Sequence, residues 1–155
     1  MAKRYWLMKS DPDTYGWDDL GAEKRQTTCW DGVRNYQARN MLRDEIREGD
    51  GVLFYHSQTD KAVLGTARVV RSGYPDPTQF KKGVKGYDPA SSRAEPRWYA
   101  VDIQRHENFR TPVTLARMKE IPGLGDMALL RRGNRLSVMP VTAGEWKLVV
   151  QAGLD

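Results

Sequence analysis

The chain of 155 residues holds one cysteine, Cys29, and two histidines, His56 and His106. A single cysteine closes no internal disulfide, and with two histidines it is a poor set of zinc ligands. No apolar run approaches the ~18 residues that cross a bilayer. After Lys3 and Arg4, the run Tyr5-Trp6-Leu7-Met8 is too brief for the apolar part of a signal peptide. No Gly-x-Gly-x-x-Gly or Gly-Lys-Ser/Thr loop follows a strand-like segment, so no nucleotide cofactor is indicated. Repeats, low-complexity tracts and linkers are missing too. These absences point to one domain over 1–155, reduced, metal-free and cytoplasmic, with no membrane partner. With no heptad pattern or long exposed apolar stretch, a monomer is expected.

What is present is positive charge in one place. The whole chain carries 25 Lys+Arg against 20 Asp+Glu. Residues 1–50 hold nine basic and ten acidic side chains, whereas 61–98 hold eight basic and three acidic. A local basic surface attracts polyanions by counterion release, and five Trp, seven Tyr and three Phe supply faces on which bases can stack. A solvated basic face over a Trp-rich core has the same composition.

Tyr5–Met8 reads as a strand ending at Lys9-Ser10-Asp11-Pro12, and Trp17–Leu20 as a short helix ending near Gly21. Val33, Tyr36, Met41, Leu42 and Ile46 fall at helical spacing, which predicts one helix over 33–48 with Asp31 as N-cap and Gly49 as stop. Val52–Ser57 predicts a strand buried on both sides, with Lys61–Val70 as its partner. Residues 73–97, with four prolines, predict a long irregular loop. Trp98–Ile103 and Asn108–Val113 read as strand, Thr114 caps a short helix through Ile121, and 127–132 is a further helical piece. Leu136–Val141 is strand-like, and Ala143–Ala152 is an amphipathic helix. Without regular βαβ alternation, the pattern predicts α+β with a curved sheet or partial barrel.

No catalytic set stands out. Cys29 could meet His56, but nothing in the spacing requires it and a buried, inert cysteine is expected; Asp11, Asp13, Asp18 and Asp19 are what capping and the helix dipole select. A heterocycle site needs aromatic walls and edge-reading donors. Trp30, followed by Arg34 and Asn35, can supply an indole face, a charged fork and an amide; Trp30 can equally be a core anchor and Asn35 a cap. Arg39, Arg43 and Arg47 recur every four residues and suit either a phosphate track or a face neutralised by Asp44, Glu45 and Glu48. Arg34, Arg39, Arg43, Lys81, Lys82 and Lys85 are the expected contacts to a nucleic-acid backbone.

Five ordered motifs carry a resemblance across essentially the whole chain: Tyr5-Trp6-Leu7-Met8-Lys9-Ser10-Asp11-Pro12, Thr28 to Asn40, Gly51 to Ser57, Pro96 to Asp102 and Arg135 to Val141. Together they resemble the EVE domain family. The resemblance implies a PUA-like pseudo-barrel with flanking helices, related to YTH domains, which hold a methylated adenine of RNA in an aromatic cage. It implies a non-enzymatic reader of a flipped, modified base, with modified cytosine in DNA favoured over RNA. By the same resemblance Lys9 and Ser10 line the pocket, Trp30 is a wall and Asn35 reads the base, while Tyr55, Ser57 and Trp98 stand in matching motifs. Asp11 replaces the family's common Glu, and Met139 its common Gln. The alternatives are an enzyme acting on a modified nucleobase or nucleic acid, using Lys9, Asp11, Cys29 or His56, and a protein-interaction domain.

Overall fold

The structure is a computed structural model that describes residues 3–58 and 60–155. Among these, six strands form one mixed sheet in the order β2-β5-β4-β3-β1-β6: β1 (Tyr5–Ser10), β2 (Thr27–Trp30), β3 (Gly51–His56), β4 (Ala62–Pro75), β5 (Tyr99–Thr114) and β6 (Val138–Val141). β1 and β3 run parallel, and the other pairings are antiparallel. Helices α1 (Trp17–Ala22), α2 (Tyr36–Asn40), α3 (Leu115–Glu120) and α4 (Ala143–Leu154) flank it. This is the α+β curved sheet that the sequence predicts. None of the described helices is long and apolar enough to cross a membrane.

Alternation along the central strands builds two cores. Trp6 and Met8 of β1 and Val52 and Phe54 of β3 enter one cluster; Leu7, Leu53 and Tyr55 enter the other. All six residues of β3 are buried, as its continuous apolar run predicts. The first cluster takes in Trp17, Trp30 and Leu42, and the second is covered by Met118, Val149 and Ala152 of the later helices.

β4 and β5 carry four register shifts in their pairing, and such irregularities bend and twist a sheet. Gly65 stands at one of them; a Cβ there would run into the Glu107 carbonyl and the Trp17 ring, so the missing side chain lets that indole lie on the strand. The curl has a direct measure. β2 and β3 are three strand spacings apart, about 14 Å in a flat sheet, yet the Trp30 and Phe54 rings meet edge to face at 5.6 Å.

Two expectations are corrected. Thr27–Trp30, unassigned in the sequence, is an edge strand. The helix expected over 33–48 is confined to Tyr36–Asn40, followed by one π-turn over Met41–Glu45. Asn35, not Asp31, is the cap, its side chain accepting the Ala38 N–H. At the other end Asp50, buried, accepts the Arg47 N–H along with the Trp6 indole N–H, and this turns the chain out of the helix after Glu45.

Candidate nucleic-acid interface

The segment after β2 is shaped by one carboxylate. Asp76 is buried and accepts four hydrogen bonds: from the Gly32 N–H at 2.8 Å, the Arg34 guanidinium at 3.0 Å, the Thr78 N–H at 2.8 Å and the Thr78 hydroxyl at 2.6 Å. Burial alone raises the pKa of a carboxyl; here the hydrogen bonds from Thr78, Gly32 and Arg34 outweigh it and hold Asp76 below the ordinary range. Arg34 also donates to the Gly86 carbonyl at 2.6 Å and to Thr78 at 3.1 Å, so both limbs of the long loop are tied to it. Gln79, buried beside it, donates to the Asp76 and Trp98 carbonyls and accepts from Ser91 and from the Arg97 and Trp98 N–H groups. The loop expected to be irregular is therefore stitched through two buried polar side chains.

Four rings and planes stack on this frame. The Arg34 guanidinium lies 5.2 Å from the Trp98 ring centroid, Trp98 stacks with Tyr36 at 4.9 Å and 28°, and Arg39 lies 4.9 Å from the Tyr36 centroid. Trp98 donates its indole N–H to Asp88 at 2.7 Å, and that bond holds the Asp88 carboxyl below its usual range. Tyr36 is 52% exposed. Sequence reading passed over Tyr36 because helical spacing assigned it to a core face; the signal that could have found it is its position directly after the Asn35 cap.

The expected base-binding residues do not form one group. Trp30 is 8% exposed and packed against Phe54, so the expectation of a free indole wall is corrected: the sheet's curl turns that ring inward. Trp98, 6% exposed, is covered by Tyr36. Tyr55 is buried in the second core, on the face of β3 opposite Phe54, which separates it from Trp30. Asn35 is exposed, with its side-chain oxygen engaged as the cap of α2. Lys9, Ser10 and Ser57 gather instead where the parallel strands end, the Ser57 N–H donating to the Ser10 carbonyl at 2.9 Å. Neighbouring residues of a strand point to opposite faces, so Lys9 falls on the side of Tyr55 and Ser10 on that of His56. The Lys9 ammonium is half-buried, and burial lowers its pKa. Ser10 donates its hydroxyl to the Tyr15 carbonyl. Phe54 joins the two regions, touching Trp30 on one side and His56 at 5.8 Å on the other.

Of the expected phosphate contacts, Lys81, Lys82 and Lys85 are exposed on one turn, and among the described residues none pairs with a carboxylate. Arg34 is committed to Asp76 and is corrected from phosphate contact to frame. Arg43 is paired with Asp44 at 2.9 Å, Arg39 donates to the Arg97 carbonyl, and Arg47 to the Asp44 carbonyl. The change from α-helix to a π-turn after Asn40 removes the continuous four-residue face their spacing implied.

The sets weighed for catalysis are engaged elsewhere. His56 accepts the Trp17 N–H through Nε2 and faces Asp60 through Nδ1, which fixes its proton on Nδ1 when neutral. Cys29 lies beside Tyr74 and Asp102; burial pushes its thiol up to about 11, against the opposing pull of the Tyr74 hydroxyl. Asp11 accepts the Asp13 N–H, and Asp19 the Gly16 N–H. Met139 is buried in the second core opposite Leu7, so the departure from Gln does not reach the Trp30 side.

The EVE domain family model matches residues 4–152. Thymocyte nuclear protein 1 of Danio rerio is 41% identical over 94% of this chain and 70% of its own length. The crystal structure of human THYN1 protein in complex with 5-methylcytosine containing DNA superposes with a TM-score of 0.90 at 37% identity, covering 99% of each chain. A hypothetical protein from Leishmania major superposes with a TM-score of 0.90 at 40% identity, covering 98% of this chain and 95% of that one.

Two outcomes follow from this geometry. Asp76→Asn should cost about 3 kcal/mol in urea unfolding at pH 7, since it leaves Arg34 and buried N–H groups without their anion. Because the native carboxyl titrates below its unfolded value, its contribution is complete above pH ~4 and lost as pH falls through the native pKa. The gap between wild type and variant should therefore shrink on acidification; a gap that widens would be inconsistent with this frame. Cys29 should react with iodoacetamide at pH 7.5 on the order of 100-fold more slowly than a free thiol, its rate still climbing above pH 10. A midpoint near 8.5 would refute the buried, protonated thiol.

Proposed function

The chain belongs to the EVE domain family, and on that premise we propose that it is a non-enzymatic module that binds nucleic acid, DNA before RNA, by holding an extruded modified base, with modified cytosine as the substrate class. The observation that carries this reading is the whole-chain likeness to a domain whose structure was solved with 5-methylcytosine containing DNA. The unpaired lysines on the 81–85 turn and the arginine–aromatic stack support it, since the first suits phosphates and the second suits bases. The free Cys29 suits a reducing compartment, which cytosol and nucleus both provide.

In this reading Trp30 backs the base site from the core, packed on Phe54, and supports the 31–35 segment that follows it. Asn35 keeps its amide N–H donors for a base edge while its oxygen caps α2. Ser57 offers its hydroxyl where the parallel strands end, and Ser10, whose O–H goes to the Tyr15 carbonyl, offers only its oxygen as an acceptor. Flipping a base costs a few kcal/mol. Stacking returns about 1–3 kcal/mol per base. One extra buried methyl adds about 0.8 kcal/mol, or about fourfold in affinity. A modest preference for the methylated base, on top of strong salt dependence, is the expected signature.

Binding of cytosine and 5-methylcytosine oligonucleotides, followed by fluorescence anisotropy across a salt series, tests this. The methylated strand should bind tighter by about fourfold. Lys81→Ala, Lys82→Ala and Lys85→Ala combined should lower the slope of log K against log salt by about 2 on single strands. Equal affinity for both bases, or loss of base from the oligonucleotide by mass spectrometry, would overturn the reading.

A further inference from the structure

The stack on the 31–36 segment suits a second base, outside the pocket. Four large hydrophobic side chains are exposed among the described residues, and three of them, Tyr36, Val84 and Tyr87, belong to this segment or to the turn joined to it through Arg34 and Gly86. Tyr36 is the odd one energetically. It is half exposed, yet its ring is held between Trp98 and Arg39. The layers on both sides of it are fixed: Trp98 by Asp88 and Arg34 by Asp76 beneath, and Arg39 by the Arg97 carbonyl above, so the Arg39 guanidinium carried on the Tyr36 ring is the outermost plane of the stack. A ring fixed in advance loses little side-chain entropy on binding, which is what a stacking platform requires. Lys81, Lys82 and Lys85 stand on the adjoining turn, where they can neutralise the phosphates on either side of a stacked nucleotide.

We propose that the Tyr36–Arg39 end of this stack takes an unpaired base next to the one held in the pocket, so that the preferred substrate is single-stranded at the modified site. This rests on the base-holding reading above. A base paired in a duplex has both faces covered by its neighbours, so only an unpaired one can join the stack. The pocket then selects the modification, and Tyr36 contributes affinity that is indifferent to sequence.

The test is a double-mutant cycle on a single-stranded oligonucleotide with one 5-methylcytosine. Wild type and Tyr36→Ala are titrated against the intact strand and against strands carrying an abasic site immediately 5′ or 3′ of the modified base. Tyr36→Ala should weaken binding of the intact strand about tenfold. One of the two abasic strands should weaken wild type by a similar factor and have no further effect on the variant. The thermal midpoint of the variant reports on its fold. Equal affinity of Tyr36→Ala and wild type for the intact strand, or losses that multiply in the cycle, would overturn the platform while leaving the pocket reading standing. Absence of wild-type binding to any oligonucleotide would overturn both.

Discussion

A carboxylate without access to water must be surrounded by donors, and Asp76 gathers four of them from two segments more than forty residues apart in sequence. The requirement is mutual. Gly32 and Arg34 cannot leave without stranding the charge, and Thr78 cannot leave without opening the turn that carries the lysines. Arg34 then serves as the base of the cation–aromatic stack, so the placement of Trp98 and Tyr36 follows from the same ion pair. Gln79 repeats the device with a neutral amide, using both its oxygen and its nitrogen on backbone groups of the loop. The 23 residues between β4 and β5, with little regular structure of their own, are thereby tied together, and the lysines they carry have a fixed support.

The sheet supplies a different constraint. Its curl turns the side chains of one face toward a common axis, and the aromatic residues there become a packed cluster: Trp17 and Trp30 both lean on Phe54. That packing gains burial of large rings and also restricts what Trp30 can do for a ligand. The chain that follows Trp30 is the 31–35 segment, and Asp76 holds it through Gly32 and Arg34.

Much of this was legible in the sequence where burial repeats with a period. β1, β3, the two halves of β5, the Thr114 cap and the last helix follow from apolar spacing and capping residues, which act locally. The helix over 33–48 was misread because its apolar residues keep helical spacing even though its ends are set from outside, by Asp76 and Asp50, residues that are distant or follow the segment. The sheet's curvature was equally hidden, since it arises from register shifts between β4 and β5 that depend on which residues oppose which. That is why the sequence left Trp30 open between wall and core anchor and placed Tyr55 only in a matching motif: nothing local says that one ring turns inward or that the other lies on the opposite face. The lysines were legible as charge, whereas the order of the loop behind them rests on the buried amide of Gln79, a residue type that carries no pattern.

The energetic magnitudes divide the labour between these parts. One methyl group distinguishes 5-methylcytosine from cytosine, and its transfer from water is worth about 0.8 kcal/mol. Extruding the base costs several times that. A pocket alone, with Trp30 largely committed to Phe54, would spend its stacking energy on the extrusion and leave a weak complex. Affinity must then come from groups that do not read the modified base, and under the proposed reading these are the lysines of the 81–85 turn and the exposed end of the aromatic stack. Those groups bind any strand, so they raise the affinity for modified and unmodified sites alike, and the ratio between the two stays at what the pocket supplies. Under the proposed reading the two properties are separable, because the lysines of the 81–85 turn and the Tyr36–Arg39 end of the stack on α2 lie outside the core in which Trp30 is packed.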